Sequence, residues 1–227
     1  MPSSSILPGR SDRACFIGPT GCGKSVLAQA ALEHYGTDYV VVDPKKQWEP
    51  SAAQGPVRLV ESMAKLRGAL DDSHKDGRPV IVRPSRSDVE QYGWSAPCNE
   101  VARLCLERGN TIVYFDELYY VARGSDFFVT APDYYYAITT GRSLGVGVWG
   151  SVQRPAWVPV AALTESDVRY TFFLRALSDR KTVEGLTGPV DWDGLRRNKH
   201  SFMAATDMET WGPMRLDLAA GVSKPSA

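Results

Sequence analysis

The sequence predicts an α/β protein built on a mainly parallel central sheet with helices on both faces. Three observations lead there. Short apolar runs alternate with stretches of helical period along most of the chain, the order that produces strand–helix–strand units. The run at 111–115 shows no polar alternation, as expected of a strand covered on both faces. A glycine-rich loop joins the first apolar run to the first helical stretch, the connection that opens many such sheets.

In chain order, residues 14–18 read as a buried strand and 24–35 as a helix. Residues 39–43 are a second strand, 62–70 a helix, and 79–83 a third strand. Residues 88–108 are helical with an interruption around 94–97, where Pro97 disfavours continuity. Strands follow at 111–115, 146–153 and 168–174, with helices at 134–143 and 179–186 between and after them. Residues 200–206 and 211–216 are strand-like and separated by a turn, which predicts a C-terminal β-hairpin. Residues 1–12 read as a flexible lead-in, 13–218 as one domain, and 219–227 as a loose tail.

Composition narrows the classes. The 227 residues are 43% hydrophobic and 23% charged, with a formal net charge of zero, which is globular rather than disordered. A protein that coats nucleic acid is usually basic, so any DNA contact must be local or come from several subunits converging. No run approaches the roughly 18 apolar residues of a membrane span. Cys15, Cys22, Cys98 and Cys105 form no C-x-x-C pair, which argues against a zinc site. Cys22 lies inside the glycine-rich loop, where a disulfide would distort it, so a reducing compartment is expected.

That loop, Gly18-Pro19-Thr20-Gly21-Cys22-Gly23-Lys24-Ser25, matches G-x-x-x-x-G-K-[ST] in full. Glycines let the backbone curl so that successive N–H groups point at phosphate oxygens. The following helix, with Val26 in its first turn, adds its positive N-terminal end. The motif assigns Lys24 to the β- and γ-phosphates and the Ser25 hydroxyl to Mg²⁺. The strand at 111–115 ends in Asp116-Glu117, at the sheet edge where ligands of open α/β folds bind. Asp116 is the candidate second Mg²⁺ ligand, and Glu117 the group that polarises the attacking water. ATP and Mg²⁺ are the expected cofactors. A third strand end presents Gln153, whose amide can report a γ-phosphate by hydrogen bonding.

These pieces together resemble the FtsK–HerA superfamily of DNA-pumping ATPases. The matching segments are the phosphate loop, Val40-Val41-Val42-Asp43-Pro44-Lys45, the Phe115-Asp116-Glu117 strand end, and Gly141-Arg142 leading through a strand to Gln153-Arg154-Pro155. The resemblance implies a RecA-like core, a homohexameric or similar ring, and sequence-independent action on double-stranded DNA. It implies that Gln153 is the γ-phosphate sensor. It also places Arg142 where members can supply an arginine finger to the neighbouring subunit, with Arg154, Arg169 and Arg175 as rivals. The chain's size, without membrane segments or appended domains, resembles the genome-packaging ATPases of internal-membrane viruses. Such a motor acts in the host cytoplasm or at a packaging vertex of the virion, and docks on capsid proteins.

Two loops are candidate DNA contacts: Arg83-Pro84-Ser85-Arg86, and residues 119–128 with Arg123, Phe127 and Phe128. Arginine contacts to phosphate position DNA without reading sequence. Lys45 and Lys46 could line the bore or the subunit interface, and Tyr134, Tyr135 and Tyr136 read as packing residues. The competing classes lack their signatures. A GTPase switch wants N-K-x-D, and the nearest string begins at Asn198 and has Ser201 in place of the Asp. A small-molecule kinase wants an arginine-rich lid. A phage export or assembly ATPase of the same superfamily would be expected to carry an apolar span.

Overall fold

A computed structural model of the protein describes residues 7–36, 38–50, 55–122, 124, 127–198, 200–217 and 221–223, with 216, 217 and 221–223 through their backbone alone. Residues 1–6 of the expected lead-in, 219, 220 and 224–227 of the expected tail, and Arg123, Ser125 and Asp126 of the expected DNA loop lie outside the described residues.

The elements follow the expected alternation. They are β1 (Arg13–Ile17), α1 (Lys24–His34), β2 (Tyr39–Val42), β3 (Arg58–Val60), α2 (Leu66–Asp76), β4 (Val80–Val82), α3 (Arg86–Tyr92) and α4 (Ser95–Arg108). Then come β5 (Ile112–Phe115), α5 (Phe127–Thr130), α6 (Pro132–Thr140), β6 (Gly147–Val152), α7 (Val160–Thr164) and β7 (Val168–Phe172). The chain ends with α8 (Leu177–Thr187), α9 (Trp192–Arg197), β8 (Ser201–Ala205), β9 (Thr210–Asp217) and β10 (Gly221–Ser223). They form a ten-stranded sheet in the order β10-β9-β8-β7-β1-β6-β5-β2-β4-β3. From β7 to β3 every pairing is parallel, and β8, β9 and β10 add to the β7 edge in antiparallel fashion. The predicted hairpin is therefore β8–β9.

Strand pleat sorts the core into two layers. Cys15, Ile17, Val40, Val42, Val113 and Phe115 face one side, packed under α2, α4 and α6. Phe16, Tyr39, Val41, Tyr114 and Trp149 face the other, packed under α1. Phe16 stacks on Tyr170 with ring centroids 4.8 Å apart. Cys15, Cys98 and Cys105 are buried and unbridged, and burial pushes each thiol up to about 12.

The interruption expected at 94–97 falls one residue earlier. Gly93 closes α3 with φ 75, and Pro97 sits in the first turn of α4, where its missing N–H costs no helical bond. Ser85 caps α3 by accepting from the Asp88 N–H at 3.1 Å. Both ends carry local structure. Residues 221–223 join the sheet as β10, inside the segment expected to be loose. Residues 9–12 form a turn, with the Gly9 N–H on Asp12 Oδ2 at 2.7 Å and the Asp12 N–H on the Gly9 carbonyl at 3.0 Å. No described helix is long and apolar enough to cross a membrane.

Candidate functional site

The site forms where β1, β2, β5 and β6 end on one edge. Parallel pairing aligns Ile17 with Val152 and Val42 with Phe115, so the residues that follow each strand emerge side by side. The phosphate loop leaves β1 and enters α1 through Gly21 at φ 72 and Gly23 at φ 110, a conformation that glycine adopts without a Cβ penalty. Gly18 is needed for space: a Cβ there would lie 2.7 Å from Phe172 Cβ and 2.8 Å from Cys22 Sγ.

Lys24 is buried and donates to the carbonyls of Gly18 at 2.7 Å and Pro19 at 2.9 Å. Burial pushes its ammonium pKa down, a tendency that an anion at the loop would oppose. Ser25 donates to Asp116 Oδ1 at 2.9 Å, and the Tyr114 hydroxyl reaches the same oxygen at 3.1 Å. Burial raises the Asp116 carboxyl, against the opposing pull of Lys45 and these hydrogen bonds. Two hard oxygen donors thus lie side by side, the type of group that could hold Mg²⁺. The Thr20 hydroxyl donates to Gln153 Oε1 at 3.0 Å, tying the loop to the β6 end. Glu117 is buried, and Lys45 Nζ lies 3.1 Å from its Oε2. Glu117, Gln153 and Lys45 line one opening of about 180 Å³ with Arg154, Tyr119, Tyr120 and Trp157.

A larger cleft of about 990 Å³ flanks the loop. Thr20 and Gln153 line it together with Arg154, Arg175, Arg180 and Arg196. Arg154 is held by buried Asp179 at 2.7 Å and lies over the Trp157 ring. Arg180 donates to the Leu174 carbonyl at 2.7 Å and lies over the rings of Phe173 and Trp192. Arg175 and Arg196 are exposed, and no hydrogen bond or ion pair holds either among the described residues. Sequence reasoning missed Arg180 and Arg196, which come from α8 and α9, beyond any recognisable motif.

Not every singled-out residue lies at this edge. Arg142 precedes β6 and pairs with Asp12 at 2.5 Å and Asp167 at 3.6 Å. It is therefore at the opposite sheet edge from its own phosphate loop. Arg169 is buried and bound to the carbonyls of Leu163 and Thr164 and to Asp207. Arg83 is locked onto Asp43 at 2.9 Å and the Trp48 carbonyl at 2.7 Å, and Arg86 pairs with Glu90 at 2.6 Å. Tyr134 and Phe127 are core residues, whereas Tyr135, Tyr136 and Phe128 are exposed.

No family model matches the chain. It is 28% identical over 194 residues to the DNA packaging ATPase P9 of Enterobacteria phage PRD1, covering 83% of this chain and 75% of the relative. The chain is thus similar to a viral DNA packaging ATPase over most of its length, and its fold is that of P-loop NTPases. Solved structures share this fold. The genome packaging NTPase B204 of Sulfolobus turreted icosahedral virus 2, in complex with ATP-gammaS, superposes with a TM-score of 0.64 at 15% identity, covering 90% of this chain and 98% of that one. VirB4 of Thermoanaerobacter pseudethanolicus gives 0.66 at 9% identity, covering 95% and 90%.

Proposed function

We propose that this ATPase pumps double-stranded DNA, as the motor that drives a viral genome into a preformed capsid. The observation that carries this reading is the match to a DNA packaging ATPase across most of the chain. It is supported by a phosphate loop, an acid pair and a glutamine brought to one sheet edge. Lys24 and the loop N–H groups from Thr20 to Val26 hold the triphosphate, with Gly18 and Pro19 shaping the entry to the loop. Ser25 and Asp116 would supply oxygen ligands for Mg²⁺, which would neutralise phosphate charge during transfer. Glu117 accepts the proton of the attacking water, and Gln153 senses the γ-phosphate from the same opening. Arg142 completes the site of a neighbouring subunit, since its own loop lies across the sheet.

The same proposal takes residues 13–218 as one ATPase domain, acting in the host cell as a homohexameric or similar ring at the packaging vertex. The continuous sheet supports the first point. With zero net charge, a DNA contact in such a ring would come from basic groups of several subunits converging on one bore. The test is the steady-state ATPase rate with and without linear duplex DNA, at low salt and across protein concentration. The rate should rise steeply with both. A rate indifferent to both would remove the DNA-pumping reading and leave the ATPase.

A further inference from the structure

Beyond the groups named by motif, one side chain reaches the water-activating acid from another strand. β4, β2 and β5 are neighbours, with Val82 opposite Val42 and Val42 opposite Phe115. The residues just past these three ends form a row of charge: Arg83, Asp43, Lys45 and Glu117. Asp43 is fully buried and accepts from the Gln47 N–H at 3.0 Å, the Trp48 N–H at 3.0 Å and Arg83 Nε at 2.9 Å. These bonds fold residues 43–48 into a fixed turn, with Lys46 in the left-handed region at φ 56. Lys45 projects from that turn and donates to Glu117 Oε2 at 3.1 Å and to the Asp116 carbonyl at 3.4 Å.

Glu117 itself sits on extended backbone, at φ −173 and ψ 107, outside any helix. A glutamate has three side-chain torsions to fix, and a free rotamer set would disperse its carboxylate. Among the described residues, the one side-chain hydrogen bond to Glu117 comes from Lys45. Asp116 is instead engaged by Ser25 and Tyr114, and Lys24 by the loop carbonyls. Asp116, Lys24 and Glu117 thus each have their own partners, and the partner of Glu117 is rooted in a turn that Asp43 and Arg83 make rigid.

We propose that Lys45 is the positioning residue for Glu117, holding its carboxylate aimed into the opening it shares with Gln153. The inference rests on the reading of Glu117 as the water-activating base. A carboxylate about 1 Å out of place loses on the order of a hundredfold in rate, so its anchor should be felt in turnover rather than in nucleotide affinity. Arginine can restore a charged hydrogen bond to a carboxylate, although from a different stem.

The experiment compares Lys45→Met, Lys45→Arg, Glu117→Gln and the Lys45→Met/Glu117→Gln double variant, measuring kcat, KM for ATP and the binding of a fluorescent ATP analogue. Lys45→Met should lower kcat by about 10- to 100-fold with KM changed less than about threefold. Lys45→Arg should recover much of that loss. The double variant should be no slower than Glu117→Gln, because both changes act through one carboxylate. Should Lys45→Met fail to bind the analogue, Lys45→Gln takes its place under the same criteria. Wild-type or faster turnover without Lys45, a loss confined to KM, or an additive double loss overturns the proposal. Normal turnover in Glu117→Gln overturns it together with the base assignment, whereas an inactive Glu117→Gln beside a fully active Lys45→Met overturns this proposal alone.

Discussion

A methyl group added at position 150 would press on the segment that carries Glu117. Gly150 lies in β6 opposite Phe115, and a Cβ there would sit 2.7 Å from Leu118 Cγ and 3.1 Å from its Cδ1. The Cγ is close to the backbone, so the whole Leu118 side chain or the turn beneath it must move. Leu118 is 3% exposed and opens the short 3₁₀ turn Leu118–Tyr120, which leaves little room to yield. Overpacking of this kind costs about 1–3 kcal/mol. In a chain of this size each kcal/mol lowers Tm by about 2–4 °C, so Gly150→Ala should melt roughly 2–12 °C lower. Because Glu117 is the adjacent residue, a backbone shift near 1 Å should also lower kcat by about a hundredfold, with ATP binding retained. The assays are a thermal melt, binding of a fluorescent ATP analogue, and steady-state turnover. Wild-type melting and wild-type kcat in Gly150→Ala would refute the packing argument. A lower melt with intact kcat would show that Leu118 does not govern Glu117.

Three further outcomes follow from the charged groups. Arg169→Ala removes the donor to two carbonyls and to Asp207, so it should destabilise by about 2–5 kcal/mol in urea; loss of turnover at full stability would return Arg169 to the list of fingers. Burial alone would raise the Asp167 carboxyl, but the hydrogen bonds and charge of Arg13 outweigh it and hold it below the usual 3.8. That pair's contribution is whole above about pH 4 and fades as pH falls through the lowered value, so the urea midpoint should drop in acid, and Asp167→Asn should flatten that part of the profile. Arg142→Ala should keep ATP affinity and lose hydrolysis, and subunits bearing Arg142 but carrying Lys24→Ala should restore turnover in mixed assemblies; no restoration would argue against action in trans.

The sheet was legible because its strands are buried on both faces, and β1, β2 and β5 read as continuous apolar runs. The elements missed were those too short to show a period: β3 with three residues, α5 with four and α7 with five. The fragment Trp192–Arg197 hid its helix behind Gly194. The phosphate loop was legible because its chemistry is local, eight consecutive residues with fixed spacing. What could not be read was pairing set by sheet register. Lys45 and Glu117 are 72 residues apart, and only the β2–β5 alignment brings them together. Arg83 illustrates the same point from the other side. On sequence it is a loop arginine open to DNA, whereas register places it on buried Asp43, with its side chain only 21% exposed.

The most direct test of the central claim is displacement of a fluorescent third strand from a linear triplex–duplex DNA by the purified ATPase. ATP-dependent release on the intact duplex, absent with Glu117→Gln and with a non-hydrolysable analogue, is the predicted result. Robust ATP hydrolysis on the same duplex without release of the third strand would contradict a DNA-pumping motor.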